Sequence, residues 1–257
     1  MQLKTFLRFA RIKYLWCNKM GFCPVCGRNS IFVLTQEIQR IRNDGICIGC
    51  GSCSRTRHVA KCILDEFKDR KITSLKDFKT RPDISVFNAS SGGSIARKMG
   101  TAKNIFMSEY FDDCKPGEFK NGIQCQDVEQ LTFPDSSMDL IITEDVFEHV
   151  KNRRKGFTEV YRILKKNGVH IFSIPFYFDK KTEELFTLKN GKYELKEPIE
   201  YHGDPIQGTI PAYTRLGYDL FDFLRSINFE VKIDISEYAD SIKFATYNSY
   251  TFITKKC

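Results

Sequence analysis

The sequence predicts an α/β protein: a doubly wound sheet with helices on both faces, preceded by a small cysteine-rich module. Three observations carry this reading. The run Leu140-Ile141-Ile142 has the length and composition of a short buried strand. It ends on two acids, Glu144 and Asp145, with a helix carrying Phe147, His149 and Val150 starting beyond them. Short apolar runs alternate with helical stretches between residues 84 and 174. Near the N-terminus, two C-x2-C-G knuckles, Cys23-Pro24-Val25-Cys26-Gly27 and Cys47-Ile48-Gly49-Cys50-Gly51, stand 20 residues apart. Ligands of open parallel sheets bind at the C-terminal strand ends, which makes the Glu144–Asp145 tip a candidate site.

The 257 residues suffice for one sizeable α/β domain and a small appendage. No apolar run reaches the roughly 18 residues that span a bilayer. The first 16 residues are apolar and basic, but Lys4, Arg8, Arg11 and Lys13 interrupt any signal-peptide core. Residues 1–20 are expected to form a basic helix, packed on the body or touching a membrane surface or an anionic partner. Ten cysteines without a leader argue for reduced thiols, a cytoplasmic location and a metal site. Residues 1–82 hold 17 Lys and Arg against 6 Asp and Glu; the rest hold 23 against 26. The net charge of +8 therefore belongs to the N-terminal part, where it suits a polyanion or a phosphorylated substrate.

Residues 21–67 are predicted to be a zinc-binding ribbon followed by a helix. Each knuckle glycine allows a tight turn that aims backbone amides at the thiolates. Cys23, Cys26, Cys47 and Cys50 at this spacing close a tetrahedral site. With no position left for water, the Zn2+ is structural and replaces a core that some 40 residues cannot build. Cys53 competes with Cys50 but has no matching knuckle. Cys17, Cys62, Cys114, Cys125 and Cys257 are expected to be small apolar residues. His58 is expected at a solvated helix start, within a helix running to Phe67. Residues 68–82 are charged and expected to be a linker closed by Pro82.

Residues 83–257 form the second domain. A strand over Ile84–Ala89 leads into Ser90-Ser91-Gly92-Gly93-Ser94 and a helix to Met99. A second strand, Asn104–Met107, ends on Ser108-Glu109-Tyr110. A helix over 152–166 is expected to be capped by Asn167-Gly168, ahead of a strand over Val169–Ile174. Residues 177–213 exceed a bare doubly wound core. Within them Asn190-Gly191 signals a hairpin, and Glu200-Tyr201-His202-Gly203-Asp204-Pro205 forms a turn. A helix over Thr214–Ile227 and strands over Val231–Ile235 and Tyr250–Thr254 complete the prediction. His170 sits mid-strand and is expected to be structural.

The stretch 126–150, from Asp127 and Glu129 through Pro134-Asp135-Ser136-Ser137 to Glu148-His149-Val150, resembles the class I S-adenosylmethionine (SAM)-dependent methyltransferases of the small-molecule UbiE-UbiG type. The run Tyr161-Arg162-Ile163-Leu164-Lys165-Lys166-Asn167-Gly168 resembles that family's segment before its fifth strand. The likeness spans roughly residues 82–176 and 214–254 and implies a seven-stranded Rossmann-like sheet. It also implies that Asn88, Ser90 and Gly92 form the first cofactor loop, where Asn88 replaces the family's acid and serines replace two glycines. Glu109 would accept both ribose hydroxyls. Asp127 would accept from the adenine amino group, with the Val128 amide nearby. Tyr110 or Phe111 would cover the adenine, and Glu144 would complete the cofactor set.

Methyl transfer from a sulfonium is an in-line displacement that needs alignment and often a base. His149, beside the strand end, and His202, in the insert that lies over the methyl group in related folds, are the candidate catalytic residues. Tyr201 and Asp204 are candidate substrate contacts. The absence of an Asn-Pro-Pro-Tyr-type motif after the fourth strand argues against nucleobase amino-methylation. Expected is O-methylation of a small polar acceptor, a saccharide or phosphorylated precursor of a cell-surface glycan. Two alternatives stand: an RNA methyltransferase whose basic ribbon binds RNA, and a zinc-stabilised scaffold that no longer binds SAM.

Overall fold

The computed structural model describes residues 17–34, 42–204, 206, 208–236, 246 and 249–257. The expected helix over residues 1–20 lies outside them up to residue 16, and residues 17–20 belong to a strand. The chain forms two compact units. One comprises Met1–Asp83, Gly93–Lys103 and Ile233–Phe252; the other comprises Ile84–Gly92, Asn104–Lys232 and Ile253–Cys257.

In the first unit, β1 (Cys17–Cys23) and β2 (Arg28–Leu34) form an antiparallel hairpin, and β3 (Ile46–Cys47) adds to β2. Helix α1 (Ser54–Glu66) buries Val59, Ala60, Cys62 and Ile63. His58 is not solvated: it is fully buried, with Nε2 2.7 Å from Asp234 Oδ1 and Nδ1 3.1 Å from Ser249 Oγ. Arg57, His58, Val59 and Ala60 are buried in succession, so the first turns of α1 are enclosed all round. Residues 68–82 contain two 3-10 turns, Lys68–Arg70 and Leu75–Thr80. In the second, Ser74 and Asp77 form a capping box, and Leu75 and Phe78 are buried, with Phe78 edge-on to Phe67 at 5.4 Å. The charged residues on the outside of this stretch mask its packed side. A short helix, α2 (Ser94–Met99), also belongs to this unit.

The second unit carries most of the main sheet. Its strands are β4 (Val86–Asn88), β5 (Ile105–Glu109), β6 (Phe119–Lys120), β7 (Ile123–Cys125), β8 (Met138–Glu144) and β9 (Leu164–Ser173), with α3 (Arg153–Ile163) before β9. β10 (Phe176–Tyr177), β11 (Glu183–Glu184), β12 (Phe186–Lys189), β13 (Lys192–Leu195), β14 (Tyr201–Asp204), β15 (Gly208–Pro211) and β16 (Thr214–Gly217) follow. The chain ends with α4 (Leu220–Ser226), β17 (Phe229–Ile235) and β18 (Tyr250–Lys256). The main sheet has the order β17-β18-β9-β8-β4-β5-β7-β6. It has one strand more than expected, because β6 folds back antiparallel on β7.

β4 pairs in parallel with β5 on one side and β8 on the other; β8 pairs in parallel with β9, and β5 with β7. The chain builds outward from β4 to β5 and β7, then returns to β4's other side as β8. The strand order therefore reverses between β4 and β8, the place where such sheets bind ligands. β8 reads as a continuous apolar run because both of its faces are covered: Leu140, Ile141, Ile142 and Thr143 are all buried.

Three expectations need correction or refinement. The helix expected over 152–166 ends at Ile163, and β9 begins at Leu164. The Asn167-Gly168 pair is a bend inside the strand, where Asn167 takes φ 63 and the β8–β9 register shifts between Met138 and Leu140. The helix expected over 214–227 splits into β16 and α4. Gly217 explains the split: a Cβ there would lie 2.2 Å from the Lys180 carbonyl oxygen, so neighbouring backbone occupies the space a helix would need. The Asn190-Gly191 hairpin forms as expected, with φ of 50 and 75 at the two turn positions joining β12 to β13.

Candidate functional site

Four thiols converge in the first unit. The Sγ atoms of Cys23, Cys26, Cys47 and Cys50 lie within 4.8 Å of one another, with Cys23–Cys50 at 3.8 Å and Cys26–Cys47 at 3.7 Å. Sulfurs about 2.3 Å from a tetrahedral ion stand about 3.8 Å apart, so the set fits zinc. Gly27 and Gly51 make the tight turns, with φ of 69 and 74; their own amides donate to the carbonyls of Cys23 and Cys47, and it is the Cys26 amide that faces a sulfur, Cys23 Sγ at 3.4 Å. Cys53 stands outside the cluster, its Sγ 3.5 Å from Thr56 Oγ1. Burial and the neighbouring Cys50 and Cys47 push the Cys26 thiol up to about 12, a crowding of incipient charge that a cation relieves. Buried Arg57, its guanidinium over the Phe32 ring and donating to the Ser52 carbonyl, adds positive charge behind the cluster.

The second unit brings the predicted cofactor residues to adjacent strand tips. Asn88 ends β4, and Ser90, Ser91 and Gly92 follow it. Ser91 reaches the tip of the next strand, donating from N (2.6 Å) and Oγ (2.8 Å) to Glu109 Oε1. Burial holds Glu109 above the usual carboxylate range; the Ser91 bonds oppose that rise and nearby Asp204 adds to it. The Gln126 amide donates to the Glu109 carbonyl at 3.0 Å, so the β7 tip carrying Asp127 and Val128 stands beside the β5 tip. Asp127 Oδ1 accepts from the Glu129 amide, and Val128 is buried. Phe111 is buried, whereas Tyr110 is 43% exposed and donates to Asp112, which leaves Tyr110 as the ring open to a ligand. A Cβ on Gly92 would meet only Ile206 Cδ1, at 3.8 Å. The β14–β15 hairpin thus lies over the first loop.

A polar cluster sits past the end of β8. Asp145 takes φ 51, and its amide donates to the Ser173 carbonyl, turning the chain from β8 into a 3-10 turn over Phe147–His149. The insert straps this turn: Tyr213 N donates to the Glu148 carbonyl at 2.7 Å, and Ala212 N to the Glu200 carbonyl at 2.8 Å. His149 Nδ1 is 2.8 Å from the Pro211 carbonyl oxygen, which can only accept, so Nδ1 carries the proton. His149 Nε2 lies 3.2 Å from His202 Nδ1, and His202 Nε2 lies 3.1 Å from Glu200 Oε1. Glu200 is in turn bound by Arg215. Glu148 is 1% exposed, and neither of its oxygens has a hydrogen-bond partner. Glu148 and Glu200 push His202 up to about 9, with Glu148 the larger influence.

The structure therefore unites His149 and His202 and engages both ring nitrogens of each. Asp204 shares their face of β14. Tyr201 does not: successive strand residues face opposite ways, and Tyr201 is 56% exposed. Glu144, at the β8 tip, stands one residue before the turn that carries the cluster. Sequence reasoning missed Glu148, Glu200 and Arg215 as site residues. The available signals were the adjacent Glu148-His149 pair and the Glu200-x-His202 alternation, which puts both side chains on one face.

Residues 95–172 match the family model described as a methyltransferase domain. An uncharacterised protein of Methanocaldococcus jannaschii is 26% identical over 147 residues, 57% of this chain and 64% of its own. A protein of Mycolicibacterium smegmatis, named as a probable SAM-dependent methyltransferase, is 26% identical over 94 residues, 34% of this chain and 37% of its own. The chain thus spans less than two thirds of the length of these curated relatives. A SAM-dependent methyltransferase from Clostridium acetobutylicum is 14% identical with TM-score 0.43, covering 76% of this chain and 97% of that one.

Proposed function

We propose that this chain, which carries a methyltransferase domain of the class I SAM-dependent type, transfers a methyl group from SAM to a hydroxyl oxygen of a small polar acceptor. The observation that carries the proposal is the Ser91–Glu109–Gln126 connection, which joins the first loop, the β5 tip and the Asp127 tip at adjacent C-terminal strand ends. A carboxylate there accepts a ribose diol, and Asp127 accepts from an exocyclic amine. Glu109, Asp127, Glu144 and Asp204 make the surround acidic, which suits a sulfonium cation. In the reaction an acceptor oxygen lone pair forms the new O–C bond as the C–S bond breaks with its electron pair on sulfur. The acceptor proton passes to solvent.

The expected acceptors are saccharides or phosphorylated glycan precursors. Calorimetry with SAM and S-adenosylhomocysteine tests the cofactor half. Binding is expected, and Glu109→Ala should weaken it about 10- to 100-fold, the worth of one or two hydrogen bonds to a charged group. No binding to the wild-type protein would end the enzyme reading. Replacing His149 or His202 by Ala should slow turnover more than it weakens SAM binding.

The first module is proposed to hold structural zinc through Cys23, Cys26, Cys47 and Cys50, whose sulfur spacing fits the ion. The excess of 17 basic over 6 acidic residues in 1–82 favours one second reading, an RNA acceptor recruited by this module. A gel shift with bulk RNA that weakens steeply with salt would support it, and no shift at low salt would eliminate it.

A further inference from the structure

We propose that Glu148, His149 and His202 form a second metal site, distinct from the four thiols, which binds one divalent cation and holds the acceptor through it. The three candidate ligand atoms are His149 Nε2, His202 Nδ1 and Glu148 Oε1. Their separations are 3.2 Å between the nitrogens, 3.8 Å from His149 Nε2 to Glu148 Oε1 and 3.7 Å from His202 Nδ1 to Glu148 Oε1. The point equidistant from three atoms so spaced lies about 2.1 Å from each, the bond length of nitrogen and carboxylate ligands to zinc and similar ions. A cation slightly above that plane keeps the distances in range and has coordination positions open on its far side.

Two independent features point at the same spot. The first is the orientation of the rings. Each histidine uses its distal nitrogen on an acceptor: His149 Nδ1 on the Pro211 carbonyl, and His202 Nε2 on Glu200, which Arg215 holds in place. Metal-binding imidazoles are fixed this way, because a hydrogen bond at one nitrogen sets the tautomer and turns the other lone pair to the ion. The second is Glu148. A side chain 1% exposed, with neither oxygen hydrogen-bonded and the two imidazoles 3.7 and 3.8 Å from Oε1, is costly unless a cation satisfies it. His149 Nε2 and His202 Nδ1, 3.2 Å apart, share a proton in the metal-free protein, and a metal would take that proton's place.

Two nitrogens and one carboxylate on one side leave adjacent open positions on the other. Those positions fit two neighbouring oxygens of one acceptor, so the inference narrows the acceptor to a molecule with vicinal hydroxyls. It rests on the methyltransferase reading only for that last step; the site itself stands on the geometry. A cation held by these three residues would make an acceptor oxygen more acidic and so would ease loss of its proton.

The test uses the full chain with zinc already at the thiol cluster, titrated with Mn2+ in the absence of SAM and acceptor. One Mn2+ per chain is expected, with electron spin echo modulation from two imidazole nitrogens. Glu148→Gln and His202→Ala should each weaken binding on the order of 100-fold. No stoichiometric Mn2+ binding, or a bound ion without two-nitrogen modulation, overturns the proposal in the wild-type protein, whether or not the variants fold. Undiminished affinity in both variants overturns it as well. Since SAM calorimetry is a separate measurement, loss of the metal site and loss of the methyltransferase reading are told apart.

Discussion

His170 offers a sharp test of how the sheet is built. It lies mid-β9, fully buried, stacked on Phe172 at 4.5 Å, with Nε2 2.9 Å from Thr143 Oγ1 and no partner for Nδ1. Protonation would place a charge in the core with one N–H facing nothing, so burial pulls the ring down from 6.5 to about 3. The unfolded chain then takes up a proton below its ordinary value, and the folded chain does so only below about 3. Stability from this group is complete above 6.5 and lost as pH falls toward 3. Between pH 7 and pH 5 the loss comes to about 2 kcal/mol. The perturbation is His170→Phe, which keeps the stacking and removes the titration; losing the Thr143 bond adds an offset that does not depend on pH. Urea unfolding at both pH values should show the wild-type protein losing about 2 kcal/mol more than the variant. Equal losses would refute the placement of a neutral histidine in this core.

Further outcomes follow from single residues. Gly92→Ala should leave the thermal midpoint within a degree or two, since its Cβ would meet only Ile206 Cδ1 at ordinary contact distance, yet weaken SAM binding about tenfold or more by calorimetry. Arg162→Ala should cost about 2–4 kcal/mol in urea unfolding, because its guanidinium serves the carbonyls of Leu131 and Phe133 and both Glu159 oxygens. A loss under 1 kcal/mol would show that those groups rehydrate freely. Cys26→Ser should reduce bound zinc, measured by mass spectrometry of the native chain, and open the 17–67 module to proteolysis. Unchanged zinc would remove Cys26 from the ligand set.

The parts of the fold set by local chemistry were legible in the sequence. The Leu140-Ile141-Ile142 run is a strand because a strand covered on both faces has no polar side to alternate with. Asn190-Gly191 turns because two successive positive φ values suit almost no other pair. The thiols converge because knuckle spacing is a local matter. What escaped depends on partners far along the chain. His58 is buried by Asp234 and Ser249, 176 and 191 residues away. Thr214–Gly217 has an amphipathic pattern that fits a helix, but it is drawn into pairing with β10 and β11. Glu148 looks like a solvated acid at a helix start until Pro211 and Tyr213 close over its turn.

The same insert reaches both proposed sites, and that has a thermodynamic consequence. Its β14–β15 hairpin carries His202 at one position and Asp204 and Ile206 a few residues on. His202 faces His149 and Glu148, whereas Ile206 lies over Gly92 and Asp204 acts on Glu109. A cation that fixes His202 therefore fixes the strand that closes the first loop. A second ligand ordered by the same strand binds to a segment whose freedom is already spent. Mn2+ should raise SAM affinity at least fivefold, and SAM should raise Mn2+ affinity by the same factor, since coupling between two bound ligands is reciprocal. Calorimetry of each ligand with and without the other measures both arms. His202→Ala should abolish the coupling while leaving SAM affinity at its metal-free value. Equal affinities in the presence and absence of the partner ligand would mean that the hairpin is rigid in its own right and that the two sites act independently.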